Sequence, residues 1–254
     1  MKVYFVGAGP GDPELLTIRG KEVIERADCI IYAGSLVNRE VLSYASQEAV
    51  IHNSAQLNLN QILALIREAV ARGELVARVH TGDPSLYGAI QEQIDALREE
   101  EIEVEVIPGV SSFLAAAASL GVEYTLPEVA QSLIITRLEG RTPVPEKERL
   151  GLLARHGTSM VIFLSIHLLD GVVSELKKGY GPETPVVVIQ KASWPEEVIV
   201  RGRLSDIKEK IEEAGIESTA LIMVGDFLEA DYSPSRLYDP SFSHAYRQGR
   251  EEKK

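Results

Sequence analysis

The feature that most constrains the fold is an alternation, through residues 2 to 125, of short apolar runs with longer segments whose apolar residues recur at helical spacing. The runs "KVYFVG", "DCIIYAG", "ELVARVHTGDP" and "IEVEVIPGV" have strand length. Between and after them lie "ELLTIRGKEVIERA", "NLNQILALIREAVARG", "GAIQEQIDALREEE" and the small-residue helix "SSFLAAAASLG". Asn58 or Asn60 suits the N-cap of the second of these helices, and Gly73 its stop. Strands and helices in strict succession are covered on both faces when the strands run parallel and the helices pack on either side. A first α/β domain over 1–125, with a mostly parallel sheet, is therefore expected.

The texture changes around the polar, proline-containing connection "EGRTPVPEKERL". Strand-like runs then predominate: "SLIITR", "TSMVIFLS", "TPVVVIQKAS", "EEVIVRGRL" and "TALIMVGDF", with helices near "LLDGVVSELKKG" and "LSDIKEKIEEAG". This predicts a second α/β domain over 126–230 with a mixed sheet. The tail 231–254 has no sustained periodicity and is expected to be weakly ordered.

Composition narrows the partners. Hydrophobic residues make up 45% of the 254-residue chain and charged residues 25%, enough for two cores. The net charge of -12 disfavours nonspecific nucleic-acid binding, so a polyanionic ligand would have to meet a local cluster of Arg, Lys or His. The longest apolar runs are strand-sized, and the N-terminus lacks the apolar stretch of a signal peptide. A cytoplasmic protein with neither membrane nor nucleic-acid partner is expected. Cys29, the one cysteine, lies among apolar residues as a buried thiol would, and the five histidines lack metal-ligand spacing, so no protein-bound metal is expected.

Three strands of the first half end in glycine-bearing turns: residues 7 to 13, "HTGDPSLYG" at 80–88 and "PGVSS" at 108–112. In an open α/β sheet, ligands sit beyond the carboxyl ends of the strands, so three such turns point to one shared site. The first turn partly resembles a dinucleotide fingerprint, but Asp12 stands where the third glycine belongs. Asp12 and Asp83 would repel a phosphate, whereas a donor bearing an ammonium and a sulfonium, such as S-adenosylmethionine, suits these carboxylates. A dinucleotide-dependent oxidoreductase stays as the alternative from another class.

The segments "VGAGPGDPELLTIRG" at 6–20, "TGDPSLYG" at 81–88 and "PGVSSFLAAAA" at 108–118 resemble the signatures of the tetrapyrrole (corrin/porphyrin) methylase family. The resemblance extends from Val3 to about Phe227. Within the family, "YAGSLV" at 32–37, "RVHTGDPSLYGAIQEQ" at 78–93, "TRLEGRTPVPE" at 136–146 and "KASWP" at 191–195 are similar to enzymes that methylate corrin precursors of cobalamin. Methylation of another corrin precursor position, or of uroporphyrinogen III, stays open.

The resemblance implies two α/β domains with a cleft between them, S-adenosylmethionine as co-substrate and a homodimer. It also implies donor contacts at Pro10, Thr81, Gly82, Asp83, Leu86, Ser111 and Ser112. Leu164, Ala192, Ala220 and Leu221 follow from the second half of the chain. Many relatives have Thr-Ala where this chain has Ser111-Ser112, which keeps a hydroxyl at the first position and makes the second more polar.

Methyl transfer to an electron-rich ring carbon asks for alignment and exclusion of water more than for a strong base. The acetate and propionate arms of a tetrapyrrole ask for cations, and Arg forks grip carboxylates bidentately. Arg137 and Arg141 are the first candidates for such a clamp, with Arg78, His80, Lys191 and Arg201 behind them. His80 reads equally as a core histidine or a substrate contact. Trp194 reads equally as a packing anchor or a stacking wall for the macrocycle. Asp83 is the one candidate for a catalytic, electrostatic role, against a purely structural Asx turn.

Overall fold

The computed structural model describes residues 2–34 and 36–249. Ser35, inside the "YAGSLV" segment, and the last five residues of the expected tail lie outside the described residues. The chain forms two compact units, Met1–Ser119 with Lys191–Val198, and Leu120–Gln190 with Ile199–Lys254.

The first unit holds β1 (Lys2–Gly7), α1 (Ile18–Arg26), β2 (Cys29–Tyr32), β3 (Val50–Asn53), α2 (Leu59–Ala71), β4 (Val76–His80), α3 (Gln91–Glu99), β5 (Glu103–Ile107) and α4 (Ser112–Leu120). Its sheet has the order β3-β2-β4-β1-β5, and every pairing is parallel. Alternation along each strand sends side chains to two separate cores. Val6, Ile30, Tyr32, Ala77 and Val79 pack with Val23 and Ile24 of α1 on one face. Val3, Phe5, Cys29, Ile31 and Val76 pack with α2 and α3 on the other.

Asn58, not Asn60, caps α2: its side chain accepts from the Gln61 amide while Gln61 accepts from the Asn58 amide, closing a capping box. Thr17 caps α1, so the helix begins later than "ELLTIRGKEVIERA" suggests, after a 3-10 turn at Pro13–Leu15. Strand β3 escaped the sequence pattern because it is a short, largely exposed edge strand carrying His52 and Asn53. Cys29 is buried, and burial first, then Glu74, pushes its thiol up to about 11, so it stays an inert thiol.

The second unit holds β6 (Leu133–Arg137), α5 (Leu150–Leu153), β7 (Ser159–Phe163), α6 (Leu169–Leu176), β8 (Pro185–Gln190), β9 (Val198–Arg203), α7 (Ile207–Ala214) and β10 (Ala220–Val224). The sheet order is β6-β7-β10-β8-β9, with β6 parallel to β7 and β10 antiparallel to both β7 and β8. It is the mixed sheet expected. Its core joins Met160, Ile162, Val186, Val188 and Ile222 to Val172, Leu176, Ile207 and Ile211 of the helices.

Residues 231–249 form neither α-helix nor named strand, yet they are locally tied. The Arg247 guanidinium donates to the carbonyls of Leu237, Asp239 and Phe242, beside a bridge between His244 and Arg247. No helix among the described residues is long and apolar enough to cross a membrane.

Candidate active site

The three glycine turns touch because β4, β1 and β5 are neighbours in the sheet. A Cβ on Gly7 would lie 2.6 Å from the Gly109 Cα and 2.7 Å from the Gly82 carbonyl oxygen. Glycine is required here for the approach of one backbone to another, not of a backbone to a phosphate. The amides are committed as well. Ala8 N donates to the His80 carbonyl at 2.7 Å, and Gly9 and Gly82 exchange two backbone bonds. Asp12 caps the 3-10 turn through Glu14 N, and its own amide donates to Ser193 Oγ at 3.1 Å. Nothing in this loop forms the cradle of free amides a pyrophosphate needs.

Asp83 knots the second turn to the third. Oδ1 accepts from Ser85 N at 2.9 Å and from the Ser85 hydroxyl, and Oδ2 accepts from Gly109 N at 2.9 Å. Burial pushes the carboxyl up, but the bonds from the Ser85 hydroxyl, Gly109 N and Ser85 N outweigh it and hold Asp83 below its ordinary range. The geometry thus gives Asp83 the Asx-turn bonds and fixes its ionised carboxylate between the two loops, so the structural reading holds and leaves room for an electrostatic role beside it.

Asparagine offers one acceptor oxygen in place of two. Asp83→Asn should lower stability by about 1–2 kcal/mol at neutral pH. Because the folded carboxyl is depressed, this contribution is complete above the ordinary value of 3.8 and is lost as pH falls through the lower folded value. Urea unfolding at pH 7 and at about pH 3 would check that the gap between wild type and variant narrows in acid.

The segment Lys191–Val198 belongs to the first unit although the sequence reading assigns it to the second domain. Long-range polar bonds explain why. Trp194 Nε1 donates to the Pro10 carbonyl at 2.9 Å, and its ring fills the space a Cβ on Gly11 would take, 2.0 Å from Trp194 Cδ1. Ser193 N donates to Glu197, which also accepts from the Ser119 hydroxyl. Trp194 is therefore a packing anchor on the first turn, with the Lys191 ammonium 5.6 Å from its ring centroid. Asn38, which the sequence did not single out, donates to the Gly11 carbonyl at 2.8 Å.

Within the first unit the turns carrying Pro10, Thr81 to Asp83 and Ser111-Ser112 meet at one edge of the sheet; Leu86 follows on the second of them, and Ala192 lies on the segment that Ser193 and Trp194 tie to the first. In the second, Ile222 lies opposite Ile162 and Arg137 opposite Phe163, so Leu164, Ala220, Leu221 and Arg137 share one edge of that sheet. Leu164 is 54% exposed and holds φ at 54°. Left-handed non-glycine residues also stand at Tyr87, Ala89, Lys191, Ser193 and Thr219, beside the candidate contacts in both units. Such strain is enriched at binding sites.

The cations separate into three kinds. Arg137 donates Nη1 to the Thr142 carbonyl at 3.1 Å and Nη2 to the Pro143 carbonyl at 2.7 Å, closing the loop that carries Arg141. It braces the loop, and exposed Arg141 is what the loop presents. Arg78 and His80 are each 4% exposed and are corrected as clamp residues. Burial first, then the Arg78 charge, lowers the His80 imidazole to about 3, so it is neutral and brings no positive charge to a carboxylate. It stacks on Phe5, and its Nε2 has no hydrogen-bond partner. Arg201 lies exposed on β9. Among the described residues no group of three or more His, Cys, Asp or Glu is placed to hold a metal.

Residues 2–208 match the family Tetrapyrrole (Corrin/Porphyrin) Methylases, and the chain belongs to that family. It is a methyltransferase by that membership. It is 58% identical over 248 residues, 97% of this chain and 96% of the relative, to a cobalt-precorrin-4 C(11)-methyltransferase of Methanocaldococcus jannaschii. The X-ray structure of a cobalamin biosynthetic enzyme, cobalt precorrin-4 methyltransferase, superposes with a TM-score of 0.88 at 41% identity, covering 90% of this chain and 96% of the other. The uroporphyrin-III C-methyltransferase of Thermus thermophilus, solved with S-adenosyl homocysteine, gives 0.76 at 29% identity, covering 90% and 99%.

Proposed function

We propose that this chain transfers a methyl group from S-adenosylmethionine to C-11 of precorrin-4, cobalt-bound or metal-free, in cobalamin biosynthesis. The observation that carries the proposal is the 58% identity, over nearly the whole of both chains, to a relative named for that reaction. The site's chemistry agrees with it. The donor carries its methyl on a sulfonium; an electron-rich ring carbon attacks that methyl, forming the C–C bond as the S–C bond breaks, and S-adenosylhomocysteine leaves as a neutral thioether.

This chain's residues would hold and orient the reactants. Pro10, Thr81, Gly82, Asp83, Leu86, Ser111, Ser112 and Ala192 are the proposed donor contacts of the first unit, and Leu164, Ala220 and Leu221 those of the second. The ionised Asp83 carboxylate supplies negative potential suited to a cationic donor. Exposed Leu164 offers an apolar face that a bound adenine would cover. Arg141 is the proposed partner of a tetrapyrrole carboxylate. The proposal includes a cytoplasmic homodimer, and light scattering would check the dimer.

The test supplies cobalt-precorrin-4 with carbon-labelled donor and locates the new methyl by NMR. Label at C-11 is expected. Label at another ring carbon, or turnover of uroporphyrinogen III instead, would keep the methylase and overturn the position. Calorimetric binding of NAD with none of S-adenosylhomocysteine would overturn the methyltransferase itself.

A further inference from the structure

Strand β4 carries a buried cation that the proposed chemistry leaves without a task. Arg78 lies, by alternation with Val76, on the sheet face covered by α2 and α3. Burial alone lowers its guanidinium to about 10, so it is charged at neutral pH. No carboxylate lies within ion-pair distance of it among the described residues. A desolvated charge without a counter-ion costs stability that an apolar side chain in the same place would not. A cost of that kind calls for an offsetting use.

The hydrogen bonds show one. Arg78 Nη1 donates to the Ile31 carbonyl at 3.1 Å, and Nε donates to Gln93 Oε1 at 3.2 Å. A guanidinium has donors only, so it dictates which end of the Gln93 amide faces it. The Gln93 Nε2 is thereby turned toward the Ala89 carbonyl, to which it donates at 2.9 Å. Gln93 itself is 4% exposed. The carbonyl it holds belongs to a strained turn: Tyr87 has φ 57° and Ala89 φ 48°, and a Cβ on Gly88 would lie 2.1 Å from the Pro84 carbonyl oxygen. Left-handed geometry costs about 1 kcal/mol or more at each non-glycine residue, so the turn needs an external hold.

We propose that Arg78, acting through Gln93, is a positioning residue that holds the turn after Leu86 in its left-handed form and so sets Leu86 for the methyl donor. The inference rests on the donor contacts proposed above. Neither side chain touches the donor; both act through the backbone of the turn.

The test replaces the donor end of the amide and keeps its size. Gln93→Glu leaves an acceptor for Arg78 and puts an oxygen where Nε2 faced the Ala89 carbonyl. With one hydrogen bond lost, affinity for S-adenosylhomocysteine in calorimetry should fall about tenfold. The KM for the methyl donor should rise in step while the tetrapyrrole KM stays put. Adding Ala89→Gly to this variant should restore affinity to within about threefold of wild type, because glycine takes the left-handed form unaided. If Gln93→Glu fails to fold, Gln93→Met removes the bond to the Ala89 carbonyl together with the acceptor for Arg78, and recovery of affinity with Ala89→Gly in that background still reads the hold on the turn.

Unchanged S-adenosylhomocysteine affinity, an equal rise in both KM values, or no recovery with Ala89→Gly would each overturn the positioning role. Failure of the wild type to bind S-adenosylhomocysteine would instead overturn the donor reading on which it rests.

Discussion

Gly109→Ala should cost the protein about 3 kcal/mol or more and reduce S-adenosylhomocysteine affinity by on the order of 100-fold. An alanine Cβ at this position would sit 2.2 Å from the Gly82 carbonyl oxygen and 2.8 Å from the Gly7 Cα. Both neighbours are backbone, so no side chain can swing aside. The turns after β1, β4 and β5 must separate, and the bond from Gly109 N to Asp83 and the exchange between Gly9 and Gly82 go with them. Gly157→Ala is the control. That residue has φ 59° with nothing within 4 Å of a built Cβ, so its cost is the left-handed backbone alone, about 1 kcal/mol. Urea denaturation of the two variants, with calorimetry of S-adenosylhomocysteine binding, separates contact from conformation. A Gly109→Ala protein no less stable than Gly157→Ala would mean that the three turns are not packed together.

That packing also marks where the sequence stopped being informative. The strand and helix alternation of the first half was legible because period and length are local properties, and the three turns could be placed at one sheet edge by the parallel rule. Why the turns hold glycine was not legible. Gly7, Gly11 and Gly109 each face a partner far away in sequence, and Trp194 against Gly11 is 183 residues distant by its own number. A similar distance hid Ser193, 181 residues from Asp12, whereas Asn38, 27 residues from Gly11, and Glu197, four from Ser193, bond through backbone groups that carry no local signature.

Charge was legible as a type but not as an environment. Arg78, Arg137 and Arg141 look alike in sequence. One is buried against Gln93, one is spent on backbone carbonyls, and one is presented to solvent. The asymmetry follows from position: Arg78 sits within a central strand covered on both faces, Arg137 at a strand end, and Arg141 at a loop tip.

The division among the cations leads to an expected split in kinetics. Arg141→Ala should raise the KM for the tetrapyrrole on the order of 10- to 100-fold, the range of a lost charge-assisted bond, with S-adenosylhomocysteine affinity unchanged within about twofold. The loop should keep its shape, because the bonds that close it come from Arg137 and from Gly140 N to the Thr142 carbonyl, not from Arg141. Arg137→Ala differs in kind: it releases the Thr142 and Pro143 carbonyls, so it should lower thermal stability as well as weaken the tetrapyrrole. Arg141→Lys should recover only part of the loss, since an ammonium keeps the charge but cannot grip a carboxylate with two parallel bonds. Steady-state kinetics in each substrate, beside calorimetry with S-adenosylhomocysteine and a melting curve, read all three variants. An equal loss of donor and tetrapyrrole binding in Arg141→Ala would assign Arg141 to the loop's structure and leave the substrate carboxylates to another cation.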